Sequence, residues 1–257
     1  MKLVIIEVAV IISYMTVWFV IAQAIKRNDI ADIVWGTGFI VIAGTALISS
    51  EAITPRALLV FFLVLAWGTR LAAHIYLRNL GKPEDARYRK WREDWGNHAV
   101  IRAFLEVFLL QGMLMLVISV PILYIIASGD HLLRWLDLAG ASVWLAGFLF
   151  EAIGDYQLIR FKKIPSSKGK IMTEGLWSWT RHPNYFGEVT LWWGIYLMAL
   201  SLPFGWATII GPLTITFLIV KVSGIPLLEK KYEGKPEFEE YKRRTSAFFP
   251  LPPRKES

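Results

Sequence analysis

Arg181, His182, Asn184 and Glu188 sit close together in Gly175-Leu176-Trp177-Ser178-Trp179-Thr180-Arg181-His182-Pro183-Asn184-Tyr185-Phe186-Gly187-Glu188, against the start of a strongly apolar segment. Polar groups at the edge of a membrane span are costly unless something uses them. An Arg, a His, an amide and a carboxylate in one place would suit a polar cofactor held beside an apolar substrate. Pro183 favours a first helical turn. The N–H groups of Asn184, Tyr185 and Phe186 would then be donors at a helix N-terminus, an anion site helped by the dipole and Arg181. Glu188 falls one turn beyond Asn184, on the same face. The plainer alternative is a polar cap with an interfacial Arg.

Two further sets could join that chemistry. Glu151 and Asp155 are four apart on one apolar run, with Gln157 and Arg160 on neighbouring faces. Two carboxylates at that spacing repel, so they need donors such as ribose hydroxyls, an amide or Arg181. Lys168 and Lys170 add cations on the same side. The spacing of carboxylates and His182 matches no zinc pattern, so no metal is expected. Nearer the N-terminus, Arg70 and His74 share a face of the third apolar run, and Asp32 opens the second. An Arg inside the hydrocarbon zone usually faces a cavity or a partner, and Asp32 is a possible one. His74 can donate a proton near neutral pH, with Asp32 as its orienter or as the partner of Arg70. The structural alternative is an ion pair pinning two helices.

The elements that must position these residues are membrane helices. Of 257 residues, 55% are hydrophobic and only 19% charged, below the roughly 25% usual for a soluble domain. A spanning helix needs roughly 20 apolar residues. Seven are expected, at about Leu3–Ile25, Ala31–Ile48, Ala57–Leu77, Ala103–Ala127, Leu136–Leu158, Glu188–Leu202 and Trp206–Val222. The first run is too long for a signal-peptide core and lacks a small-residue cleavage site. With no cysteine, disulfides, thiolate metal sites and a cysteine nucleophile are excluded.

Positive charge sorts by loop. Seven Lys/Arg lie between Arg78 and Arg102, and six between Arg160 and Arg181, while the intervening loops are poor in them. The positive-inside rule then puts the N-terminus outside and the C-terminus in the cytoplasm. The net charge of +7 falls in these juxtamembrane loops, where attraction to anionic membrane lipid accounts for it; no nucleic-acid-binding module is recognisable. Residues 78–91, with alternating charges and aromatics, read as an interfacial amphipathic helix or a lid. The basic tail after Lys221 reads as a membrane-surface helix. The fold class expected is therefore all-α: one polytopic membrane domain over 1–257, its cofactor-binding half at about 150–257. It would lie in a bacterial inner (cytoplasmic) membrane, with no obligate protein partner evident.

The run from Leu176-Trp177 through Arg181-His182-Pro183-Asn184-Tyr185-x-Gly187-Glu188, with the closing Tyr241, Arg244 and Phe249-Pro250, resembles the steroid 5-alpha-reductase-like membrane proteins. More narrowly it is similar to their bacterial branch, long called a domain of unknown function. The resemblance covers nearly the whole chain. It implies NADPH as cofactor, contacted by Asp155, Asn184 and Glu188, with Arg70, Arg160, Lys170, Arg181, His182, Tyr241 and Arg244 as further cofactor residues. It also implies reduction of a conjugated enone in a lipid-soluble, steroid-like or isoprenoid substrate, by hydride transfer with an acid polarising the carbonyl. Where those enzymes place a Glu in span two and a Tyr in span three, this chain has Gly36-Thr37-Gly38 and Trp67-Gly68; Asp32 and His74 are the available catalytic substitutes. Isoprenylcysteine carboxyl methyltransferases carry a similar Arg-His-Pro-x-Tyr and bind S-adenosylmethionine, so a methyltransferase acting on a membrane-borne substrate is the alternative.

Overall fold

The structure, a computed structural model, describes residues 2–254. Their regular structure is helical, apart from one isolated parallel bridge between Thr180 and Ser246. The chain divides into two compact units. The first runs up to Arg134 and includes Leu202–Ile210; the second comprises Trp135–Ser201 and the chain from Gly211 onward.

In the first unit, α1 (Lys2–Ile25), α2 (Ile30–Ser49) and α3 (Pro55–Asn79) are followed by the short α4 (Ala86–Trp95). Then come α5 (99–118) and α6 (Val120–Ala127). Thr54 caps α3, accepting from Ala57 N–H at 3.1 Å, and Pro55 supplies the preset φ of a first turn. α2 and α3 meet through glycine: a Cβ on Gly36 would lie 2.6 Å from the Gly68 carbonyl oxygen. α1 lays Ile11 and Met15 over Gly112 of α5. The expected fourth span, Ala103–Ala127, is broken at Ser119. Pro121 follows in the first turn of α6, where its missing N–H costs nothing.

The second unit is built on α7 (Trp135–Lys163) and α9 (Pro183–Ala199), with the one-turn α8 (Leu176–Trp179) between them. Along α7 stand Gly140, Gly147 and Gly154, each seven residues from the next; along α9 stand Gly187 and Gly194. Seven residues are close to two turns, so each set forms one stripe. The stripes face each other antiparallel. A Cβ on Gly140 would lie 2.5 Å from the Gly194 carbonyl, one on Gly147 2.6 Å from that of Gly187, and one on Gly154 3.3 Å from the Asn184 nitrogen. Backbones come this close only where the side chain is a hydrogen. α10 (210–222), α11 (Ile225–Lys230) and α12 (Pro236–Arg244) complete the unit.

Six helical stretches among the described residues are long and apolar enough to cross a membrane: Lys2–Ile25, Ile30–Ser49, Pro55–Asn79, Ala86–Ile118, Trp135–Lys163 and Gly205–Lys230. The protein is thus an integral, multi-pass membrane protein. The expected span at Glu188–Leu202 is realised as α9, which has 17 residues and rises about 25 Å. It falls short of the roughly 30 Å hydrocarbon thickness.

Candidate functional site

In the second unit the close α7–α9 contact sets the first polar group. The glycine stripe ends at Gly154 against Pro183 and Asn184, bringing the turn of α7 that carries Asp155 onto the first turn of α9. Asp155 is buried. Asn184 Oδ1 is buried with no hydrogen-bond partner. Such an atom carries a desolvation cost of about 1–3 kcal/mol until a donor reaches it. Glu188 lies one turn further along α9, as the spacing requires. The Phe186 N–H donates to the His182 carbonyl at 3.0 Å, closing the first helical bond and removing one of the three donors expected there.

Arg181 and His182 form a second group, and the residue that organises it is Glu229 of α11. Arg181 Nε donates to Glu229 Oε1 at 2.8 Å, and His182 Nε2 lies 3.0 Å from the same oxygen. Arg181 also donates to the Thr245 carbonyl at 2.6 Å. Both side chains are nearly sealed from solvent, so the guanidinium is engaged inside its own unit. The His182 ring stacks on Tyr185, and its Nδ1 is buried without a partner. Since Nε2 faces a carboxylate, the neutral ring would carry its proton there and leave Nδ1 as an acceptor.

The tail fastens this region. Arg181 N–H donates to Ser246 O at 2.9 Å, Leu251 N–H to Trp179 O at 3.0 Å, and Thr180 Oγ1 to Phe248 O at 2.9 Å. The Tyr241 hydroxyl donates to the Trp177 carbonyl. Burial pushes that phenol above its ordinary pKa, which keeps it a donor. The tail, expected as a membrane-surface helix, buries Phe238 and Tyr241 within its own unit.

Lys170, Tyr241 and Arg244 make a third group, lining one cavity of about 410 Å³. Arg160 stands apart, its guanidinium over the Tyr156 ring.

In the first unit Asp32 is held from α4. Arg87 Nη2 lies 3.1 Å from Asp32 Oδ2, and the buried Tyr88 donates its hydroxyl to Oδ1. The loop before α4 is tied to the start of α2 by the same kind of contact: Arg27 to Asp29 at 2.8 Å, and Asp85 N–H to Asp29 Oδ2 at 3.1 Å. Asn28 N–H donates to Glu84 at 2.7 Å, and Arg92 pairs with Glu84 at 2.6 Å. Residues 78–91 are therefore latched onto the start of α2. Arg70 and His74 lie one turn apart on α3, both half-buried.

The family described as "Protein of unknown function (DUF1295)" matches residues 18–245. The chain belongs to this family. Two curated proteins tie the DUF1295 chain to a steroid 5-alpha-reductase-like group. It is 30% identical over 115 residues to "3-oxo-5-alpha-steroid 4-dehydrogenase 1" of Bos taurus, covering 45% of this chain and 44% of that protein. It is 32% identical over 74 residues to "Steroid 5-alpha-reductase DET2" of Gossypium hirsutum, covering 29% of each. The chain thus matches less than half the length of either relative. No solved structure matches it.

Sequence reasoning overlooked Glu229 and the partners of Asp32 in this DUF1295 protein. Glu229 lies in a Lys-rich tail where one acid looks like ordinary surface charge, 48 residues from Arg181. The presence of a buried Arg-His pair, which must find a carboxylate, was the available signal.

Proposed function

We propose that this protein is an NADPH-dependent membrane reductase of a conjugated C=C bond in a lipid-soluble, steroid-like or isoprenoid enone. The observation that carries the reading is the pair of buried, unpartnered side-chain atoms, Asn184 Oδ1 and His182 Nδ1, at the start of α9. They occur in a chain similar to two proteins whose names specify steroid reduction or dehydrogenation. Ribose hydroxyls and a carboxamide both donate and accept, so they can meet an amide oxygen and an imidazole nitrogen, and the residues present fit a nicotinamide dinucleotide. When bound, NADPH would supply the hydride. Asn184 and Glu188 would orient it from α9, and Asp155 from α7. Arg181 supports that set indirectly, by fixing the tail against residues 177–181.

His74 is the proposed donor to the substrate carbonyl, and Asp32, held by Tyr88 and Arg87, is its orienter. In this reading α9 is a seventh, short span, the N-terminus is outside, the tail is cytoplasmic, and the membrane is a bacterial inner one.

The deciding measurement is which small molecule stays with detergent-purified protein. Nicotinamide absorbance in the bound fraction, with affinity reduced in Asn184→Ala, is expected. Tight S-adenosylmethionine binding with no dinucleotide binding would end the reductase reading. For the acid, His74→Ala should lower turnover with little change in melting temperature or NADPH affinity. Unchanged turnover per folded molecule would remove His74 from the chemistry.

A further inference from the structure

One acid of the first unit has no place in that chemistry. Glu7 lies on the buried stripe of α1, with Ile11, Met15 and Ala22. It is 1% exposed, and neither carboxyl oxygen has a hydrogen-bond partner. Its neighbours Val4, Ile5 and Val8 are exposed, so the one acid of a largely lipid-facing helix is turned inward. An ionisable side chain inside a membrane bundle is there for a partner or a function.

What Glu7 faces follows from the register of α1 on α5. The Phe19 ring meets Phe104 at 4.9 Å and Phe108 at 5.5 Å, while Ile11 and Met15 lie against Gly112. The two helices are therefore antiparallel, and one more turn of α1 brings Glu7 level with the stretch from Met115 to Ser119. Ser119 is completely buried, and its hydroxyl is also without a partner. Elsewhere Thr16, Ser142, Thr190 and Thr216 turn their hydroxyls back onto the carbonyl four residues before, the local bond open to a hydroxyl in a helix. Ser119, at the break between α5 and α6, does not. Two sealed, unsatisfied groups thus stand at the same end of one seam.

None of the charged groups on the packed helices meets the carboxyl. α1 packs chiefly on α2 and α5. Asp32, the ionisable residue of α2, is held by Arg87 and Tyr88 at the other end of the seam, beyond the level at which the Tyr14 hydroxyl meets Val34 and Thr37. Arg102 and Glu106 of α5 pair with each other at 2.7 Å, near the level of Phe19. On α6 the Tyr124 hydroxyl donates to the Pro203 carbonyl. Lys2, on α1 itself, is exposed. An ionised Glu7 would be a buried charge with no partner, a costly state for a bundle to hold. The neutral acid both donates and accepts and carries no charge. With both oxygens sealed, a proton is the one ligand that reaches them without moving a helix.

We propose that Glu7 is an intramembrane proton-binding site, and that α1 stays seated on α5 only while the carboxyl is protonated. Losing the proton leaves a charge that must reach water, and the break at Ser119, with Pro121 beyond it, is where the facing helix can give way. The site is independent of the reductase reading.

The chain has no cysteine, so one spin-label pair can read the seam, placed at Val8→Cys and Met113→Cys, both exposed. The full chain is compared in lipid nanodiscs with Glu7 intact, with Glu7→Gln and with Glu7→Met, a second uncharged side chain should the amide not fold. Infrared difference spectra between intact and substituted chains read the C=O stretch of a protonated carboxyl. That band is expected at mildly acidic pH and should fade as pH rises, while the label distances lengthen and broaden over the same interval. The uncharged variants should keep the short distance throughout. Absence of the band at every pH overturns the proposal, and so does a distance that stays fixed as the band fades. The same lengthening in an uncharged variant would assign the response to another group and overturn it equally.

Discussion

The two helix pairs at the heart of the two units solve the same problem differently. α7 and α9 meet along a whole glycine stripe, with backbone against backbone at Gly140/Gly194 and Gly147/Gly187. α2 and α3 meet closely at one such point, Gly36/Gly68, and the rest of the first unit's polar end is fixed by side chains. Arg27, Asp29, Glu84, Arg87 and Arg92 form a lattice of ion pairs. A backbone contact has no rotamers to lose, so the polar residues beyond it can be left unpartnered and still stay in place. That is the condition of Asn184. Asp32, at the end of a pair held by side chains, is itself part of what holds it.

The largest effect should come from filling the stripe. Gly187→Ala puts a Cβ 2.5 Å from the Gly147 carbonyl and 2.7 Å from the Glu151 Cβ, so the helices must separate. A cost of about 3 kcal/mol or more is expected, and Gly187→Leu should prevent folding. Gly44→Ala, whose Cβ would meet only the Phe61 ring at 3.7 Å, is the control. Melting of both in detergent checks the comparison, which fails if Gly187→Ala behaves like Gly44→Ala.

Next comes Glu229→Ala, which strips Arg181 and His182 of their shared carboxylate and leaves a nearly buried guanidinium. Because Glu229 itself is partly exposed, at 18% for its side chain, about 2–3 kcal/mol of destabilisation is expected, below the fully buried case. Proteolysis of the tail, measured with the melt, should accelerate, since the 246–251 segment is fastened to the residues Arg181 anchors. A melt and tail as resistant as wild type would show that the backbone bonds at Ser246 and Leu251 suffice.

Asn184→Ala should separate binding from stability. Its Oδ1 has no partner in the fold, so removal should leave the protein at least as stable as wild type, by up to the roughly 1–3 kcal/mol that the unpaired acceptor costs, and weaken NADPH binding by about 1–3 kcal/mol. Calorimetric titration reads this directly. The reverse pattern, stability lost and affinity kept, would return the motif to a structural cap.

Much of this contrast was legible in the sequence. The helices follow from apolar run lengths, and the 175–188 cluster announces itself because charge is scarce around it. The glycine stripe was also there to be seen: Gly140, Gly147 and Gly154 repeat at seven, as do Gly187 and Gly194. Gly36 and Gly38 of α2 are a second, closer-spaced pair of glycines. Of these, Gly36 meets backbone, while Gly38 faces the Met115 side chain. Contacts between distant segments were not legible. Nothing near Asp32 announces Tyr88, 56 residues on, because a carboxylate can satisfy itself with any donor that tertiary structure delivers.

The smallest expected effect lies at the other end of the first unit, where Asp130 holds the fully buried Arg56. The Leu132 N–H donates to Asp130 Oδ1 at 3.0 Å, while Arg56 and Arg134 meet Oδ2 at 3.2 and 2.9 Å. That backbone bond, aided by the two guanidinium groups and opposed by some desolvation, lowers the carboxyl's pKa below its ordinary value. A lowered native pKa means the unfolded chain binds the proton first. The contribution is therefore fully present above about pH 4, the unfolded value, and is lost as pH falls through the lower native value. With the Asp130 side chain partly exposed, the effect is screened and small. Asp130→Asn should melt slightly below wild type at neutral pH, the two curves should converge on acidification below about pH 4, and added salt should narrow the neutral-pH gap. A gap that persists unchanged at low pH would mean that Asp130 acts other than through its charge, and no gap at any pH would mean that Arg56 is held by its bond to the Leu132 carbonyl.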